Sequence, residues 1–137
     1  MTGVVFTKRS TVGRAVLACA LLTLLASGVR SAEDGFGTEL MQSIEDSNKS
    51  LASNIALKEA KGASADAKEL ADMFAKVQTY YAQKGDAADA VELARKCHDL
   101  TLKIQSSVTA NDYSTATGAA TDLSRTCKTC HNFYKKS

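Results

Sequence analysis

The end of the 137-residue chain, CKTCHNFYKKS, gathers two cysteines and a histidine within five residues: Cys127, Cys130 and His131. On a helix, positions i, i+3 and i+4 share one face. Two thiols and an imidazole so placed suit covalent attachment of haem. Each sulfur adds to one porphyrin vinyl group as a thioether, and the adjacent imidazole ligates the iron. The vinyl positions and the axial direction form a fixed template, so the two-residue gap between the cysteines is part of the chemistry. Other uses of these residue types compete with this one. A thioredoxin-type dithiol sits at a helix start after a strand, and no strand pattern precedes Cys127. Cys97, His98, Cys127 and Cys130 have the residue types of a tetrahedral zinc site, but a second C-x-x-C or an H-x3-H pair is missing. A Cys127–Cys130 disulfide is poorly served by the torsions of a regular helix.

The elements that must position these groups read as helices. There is no proline, and alanine, lysine, glutamate and leucine recur, which favours helix. A first segment, about Thr38 to Ala60, carries Leu40, Ile44, Ser47, Leu51 and Ile55 at helical spacing and is expected to stop at Gly62. A second starts with Ser64 as N-cap, carries Leu70, Met73, Phe74, Val77, Tyr80 and Tyr81, and stops at Lys84-Gly85, a cation followed by glycine. A third, capped by Asp86, shows Ala90, Leu93, Cys97, Leu100, Ile104 and Val108. A fourth begins near Asp112 and carries Tyr113, Ala116, Ala120, Leu123, Cys127, Cys130 and Tyr134. Steps of three and four give the narrow apolar seam of helices packed nearly parallel or antiparallel. Short links force sequential neighbours to run antiparallel. The expected fold is all-α, an up-down-up-down four-helix bundle.

The first 32 residues read differently. Lys8, Arg9 and Arg14 precede the apolar run AVLACALLTLLA, and the small-residue stretch SGVRSA follows. That is the layout of a secretory signal peptide, with cleavage expected after Ser31 or Ala32. The apolar run is short for a membrane span, so no stable span is expected after cleavage. Cys19 sits near the start of that run, the wrong place for a lipoprotein site. Residues 1–32 hold four of the 17 basic side chains and none of the 15 acidic ones, so residues 33–137 carry 13 against 15. The positive balance belongs to the targeting segment and gives no ground for nucleic-acid binding. Residues 33–137 form one small domain, only marginally stable by itself, which a covalently held cofactor would help.

With C-x-x-C-H on the last of four helices, close to the C-terminus, the chain resembles the class II c-type cytochromes: cytochrome c′ and its six-coordinate Met/His relatives. Leu123, Cys127, Cys130, His131 and Tyr134 carry the resemblance, together with the bundle pattern from Thr38 onward. It implies one haem c, held by Cys127 and Cys130, with His131 as proximal iron ligand. It also implies a periplasmic electron carrier that is not an enzyme, with redox proteins as partners. Members of this family occur as monomers and as dimers.

In the six-coordinate relatives a methionine early in the first helix is the distal ligand, and Met41 matches that place. In an antiparallel arrangement the start of the first helix and the end of the fourth meet at one end of the bundle. A thioether at Met41 would saturate the iron and raise its potential relative to nitrogen ligation. With Met41 as an ordinary core residue, the distal side would be open and apolar, and the protein would bind NO or CO as cytochrome c′ does. Cys97 reads as a buried small hydrophobe, or else as half of a disulfide to another chain. His98 reads as a partly exposed flank residue. Arg125, Lys128, Lys135 and Lys136 are cations at a helix C-terminus that could also ring a docking site for an acidic redox partner. Gly118, inside the fourth helix, costs about 1 kcal/mol against alanine, which a close approach by a neighbouring helix or the porphyrin would explain. No paired carboxylates, Ser/His/Asp set or phosphate-binding loop supports a hydrolase or transferase.

Overall fold

A computed structural model describes the backbone of residues 30–134 and the side chains from 37 onward. It consists of four helices: α1 Arg30–Ala56, α2 Ala60–Lys84, α3 Ala88–Thr109 and α4 Tyr113–Tyr134. No strand occurs among the described residues. By its contacts the chain divides into Met1–Gly37 and Thr38–Ser137. The second unit holds α1 from Thr38 together with α2, α3 and α4. The basic and apolar parts of the expected signal peptide, Cys19 among them, lie outside the described residues, as do Lys135 and Lys136. Among the described residues, no helix is long and apolar enough to cross a membrane.

The helices of the second unit close on one core, with α2 against α3 and α3 against α4. Leu51, Leu70, Ile104 and Leu123 are completely buried, one from each helix. Around them lie Ala63, Ala67, Ala90, Ala94, Ala116 and Ala119, also buried. Burying a leucine or isoleucine contributes about 1.5–3 kcal/mol. The alanines contribute less individually, but they let helix backbones approach. On α3 the buried stripe is Ala90, Ala94, Cys97, Thr101, Ile104 and Val108, while Leu93 and Leu100 are only half-buried. The centre of the seam thus lies to one side of its expected position, over the smaller residues Ala94 and Thr101. Tyr80 and Tyr81 are helical, within α2.

Several expected boundaries move, each for a local reason. α1 stops at Ala56, where Glu59 N–H donates to the Asn54 carbonyl (2.8 Å) and Lys58 takes φ = 57°. α2 therefore begins at Ala60, and Ser64 lies inside it rather than capping it. Gly62 is not a helix stop either. A Cβ there would stand 2.7 Å from Asn54 Nδ2, and that same nitrogen donates to Asp66 Oδ2 at 2.7 Å. Glycine is needed because the α1 side chain lies against the first turn of α2. Gly85 does end α2, with φ = 76°. Asp86 does not cap α3. That position falls to Ala87, which is buried and makes no side-chain cap bond. Asp112 does cap α4: Thr115 N–H and Oγ1 donate to its carboxylate at 3.0 and 2.6 Å. Those bonds hold the Asp112 carboxyl below its usual range.

Gly118 corrects the expectation placed on it, since a Cβ there would meet nothing within 4 Å. Gly118→Ala should therefore raise stability by about 0.5–1 kcal/mol, the ordinary helix-interior gain. Gly62→Ala should gain much less, because Asn54 must swing away and a hydrogen bond worth about 1 kcal/mol is lost. Urea unfolding of both variants checks this, and equal midpoint shifts would contradict the close approach at Gly62.

Candidate functional site

The last two turns of α4 place Cys127, Cys130 and His131 on the helix the spacing required. Cys127 and Cys130 are half-buried free thiols, and Cys127 packs on the hydrophobic core. His131 is exposed and makes no hydrogen bond or ion pair among the described residues. Two reachable thiols and an imidazole with unengaged ring nitrogens are therefore presented together, one helical turn apart.

A third thiol joins them from α3. Cys97 is 2% exposed. It stands nearly as far before the Ala110–Asp112 link as Cys127 stands after it, and the two thiols meet across the seam. Their interaction, and then burial, drive Cys97 far up from the ordinary thiol range. The Cys97 S–H in turn stabilises a Cys127 thiolate and draws Cys127 down. Burial, and then the charge of Cys127, push Cys130 up. Of the three sulfurs, Cys127 is the one prepared to ionise first, and the thiolate is the reactive form.

Polar and aromatic neighbours complete this end of the seam. Thr126, next to Cys127, is buried and donates to the Asp122 carbonyl at 2.8 Å. Thr101, one turn from Cys97, is buried and donates to the His98 carbonyl at 2.6 Å. Each hydroxyl is satisfied within its own helix, so neither needs a cross-seam partner. Tyr81 of α2 packs against Tyr134 of α4, with ring centroids 5.5 Å apart. Burial raises the Tyr81 phenol, and the nearby Cys130 adds to that. Tyr80 meets Tyr81 edge-on at 5.2 Å, and Lys84 Nζ lies 4.7 Å over the Tyr80 ring.

The remaining expected residues divide. Met41 and Leu40 are both half-buried on the core, neither turned fully inward. Met73 is buried in α2. His98 stands on the flank of α3, with Nδ1 3.4 Å from Asp99 Oδ1. Among the described residues, no three His, Cys, Asp or Glu side chains are arranged to hold a metal ion, so the zinc combination of Cys97, His98, Cys127 and Cys130 is not assembled. Arg125 is exposed and pairs with Asp122 at 3.4 Å, while Lys128 is exposed. An open groove between α1 and α4 is lined by Asn48, Ile55, Thr117 and Ser124 among others, and by none of the cysteines.

Sequence reasoning took Cys97 as a packing residue or else as half of a disulfide to another chain. The signal that would have placed it opposite Cys127 is the count outward from the Asp112 cap, which needs the link and both helix ends to be known. Thr101 and Thr126 gave no signal, since buried threonines look like surface ones in a helical pattern.

The donor set fits covalent haem: two free, accessible thiols on one helix face and a neighbouring imidazole with both nitrogens available. Searches of protein-family models, of curated proteins and of solved structures each returned no match to this chain.

With the folded, reduced chain, iodoacetamide should label Cys127 before Cys130, and Cys97 last. Replacing Cys97 with alanine should move the pH midpoint of Cys127 labelling upward, because the S–H that stabilises the thiolate is gone. Peptide mass mapping over a pH series checks both, and an unmoved midpoint would exclude the thiol pair as the cause.

Proposed function

We propose that this chain is a monohaem c-type cytochrome of the four-helix-bundle kind that carries single electrons in the periplasm. Cys127 and Cys130 would hold the porphyrin through thioethers, His131 would ligate the iron, and Met41 would supply the opposite ligand. The observation that carries this reading is the joint presentation of two reachable thiols and an unengaged imidazole at i, i+3 and i+4 on α4. When bound, the haem would supply a one-electron iron couple.

The up-down-up-down course of the helices belongs to the same proposal. It is supported by three-residue links between successive helices and by contacts between distant parts of the chain. Tyr113 Oη, at the start of α4, donates to the Lys58 carbonyl after α1 at 3.1 Å. Tyr81, near the end of α2, meets Tyr134 at the end of α4. From the Lys58–Tyr113 bond, the walk back to Met41 and the walk forward to His131 are nearly equal, each about 26 Å of helix at 1.5 Å per residue. That equality supports Met41 as the group facing His131.

The rest of the chain's work is mechanical and electrostatic. α3 packs along α4, and Tyr81 of α2 meets Tyr134 near the thiol face. Exposed Lys128 and Arg125 put positive charge beside it, which suits brief docking of an acidic redox partner through a small, salt-sensitive contact. Half-buried Leu40 beside Met41 marks the alternative. If Met41 turns away from the iron, the distal side becomes apolar, and the protein would bind NO or CO instead.

Expression with haem-attachment machinery should yield a coloured product with a pyridine haemochrome spectrum of c type. Replacing Cys127 and Cys130 together with serine should abolish covalent attachment. A colourless wild-type product would end the haem assignment. In the coloured protein, Met41→Ala should remove the sulfur–iron absorption band and admit CO, whereas an unchanged spectrum would refute Met41 as the ligand.

A further inference from the structure

Cys97 has no task in the proposed haem site, yet its environment is specific. It is a buried free thiol of the core, Cys127 packs against that same core, and the two stand nearly equally far from the Ala110–Asp112 link, which brings them to one level of the α3–α4 seam. Cys127 is the reachable member of the pair, half-buried on a face open to solvent. The two sulfurs belong to different helices, so their bond escapes the torsional restriction that disfavours Cys127–Cys130 within one helix. From this arrangement we infer that Cys97 and Cys127 form an exchangeable cross-helix disulfide that closes the Cys127 sulfur to other chemistry.

The oxidant is a low-molecular-weight disulfide of the glutathione class. The Cys127 thiolate attacks one of its sulfurs, forming a mixed disulfide and releasing one thiolate. The Cys97 sulfur, giving up its proton, then attacks the Cys127 sulfur and releases the second thiolate. The two protein thiols lose two electrons and two protons, and the small disulfide leaves as two thiols. Exchange of this kind proceeds through an accessible thiolate, which Cys127 supplies, while Cys97 resolves the intermediate from inside the seam. The consequence for haem rests on the function proposed above. A Cys127 sulfur bound to Cys97 cannot form a thioether, so oxidised apoprotein is held back from attachment until it is reduced.

The sequence makes the test direct. Lys128 places Cys127 and Cys130 on different tryptic peptides, TCK and TCHNFYK, and Cys97 lies on CHDLTLK. Full-length apoprotein is equilibrated with reduced and oxidised glutathione, alkylated, isolated at monomer mass and mapped without reduction. The expected result is CHDLTLK joined to TCK, absent from both Cys97→Ala and Cys97→Ser. A map dominated by TCK joined to TCHNFYK, or by glutathione adducts without a Cys97 link, would overturn the inference. In a second arm, wild type and both variants are co-expressed with haem-attachment machinery under oxidising conditions, and intact masses are read. The variants should carry a larger haem-bearing fraction than wild type, and added reductant should erase the difference. Equal fractions would remove the competition with attachment. Haem absent from all three, with the Cys97 link still present, would uphold the disulfide and refute the haem assignment separately.

Discussion

Four narrow apolar stripes must close on one another: alanine-rich ones on α2, α3 and α4, and on α1 one made of Ile44, Leu51 and Ile55. Everything else in the second unit depends on that closure. Fully buried Leu51, Leu70, Ile104 and Leu123 supply the larger apolar surfaces, and the alanines between them keep the backbones close. A core this lean in bulky groups has little surplus, since net stability is a small difference between large opposing terms. Local devices therefore count for a good deal here: the Asp112 cap, the αL glycine at Gly85, and the Asn54 side chain lodged against Gly62.

The same closure gives the thiols their character. Towards the end of α4 the seam changes from branched aliphatics to Thr101, Thr126, Cys97 and Cys127. Small polar and sulfur-bearing groups pack there without leaving a buried donor or acceptor unpaired among the described residues. Cys97 is buried on the seam, and its S–H stabilises a thiolate at Cys127. One contact therefore makes two chemically identical residues different: Cys97 resists ionisation and Cys127 favours it. Cys130, one turn on, lacks that help and is pushed the other way. A motif that treats its cysteines alike is made unequal by the helix packed against it.

The exposed His131 and the half-buried thiols share a surface with positively charged neighbours, while the aromatic group of Tyr80, Tyr81 and Tyr134 bridges α2 and α4. That division suits the proposed carrier. In that proposal the thiol face would hold the redox group, and the solvated, charged rim would let partners come and go. The surface ion pairs elsewhere, such as Lys49–Glu45 at 2.8 Å, are well exposed, and pairs of that kind contribute little to stability.

The helices, their number and the reactive triplet on α4 were legible in the sequence because each rests on short-range physics: a period of three and four, a cation and glycine at Gly85, a cap at Asp112, a spacing of i, i+3 and i+4. Gly62 read as a stop and Gly118 as a close approach, but the close approach is at Gly62, while Gly118 faces open space inside α4. A glycine's meaning depends on what stands opposite its missing Cβ, and that is set by a neighbouring helix. Asp86 read as a cap because it has the right side chain, yet Ala87 takes the place once its methyl is buried. The exact buried stripe of α3 and the meeting of Cys97 with Cys127 were likewise decided in three dimensions. Periodicity names the inward face of a helix but not which neighbour it meets or at what level, since those follow from how long helices slide and rotate until their small residues interlock.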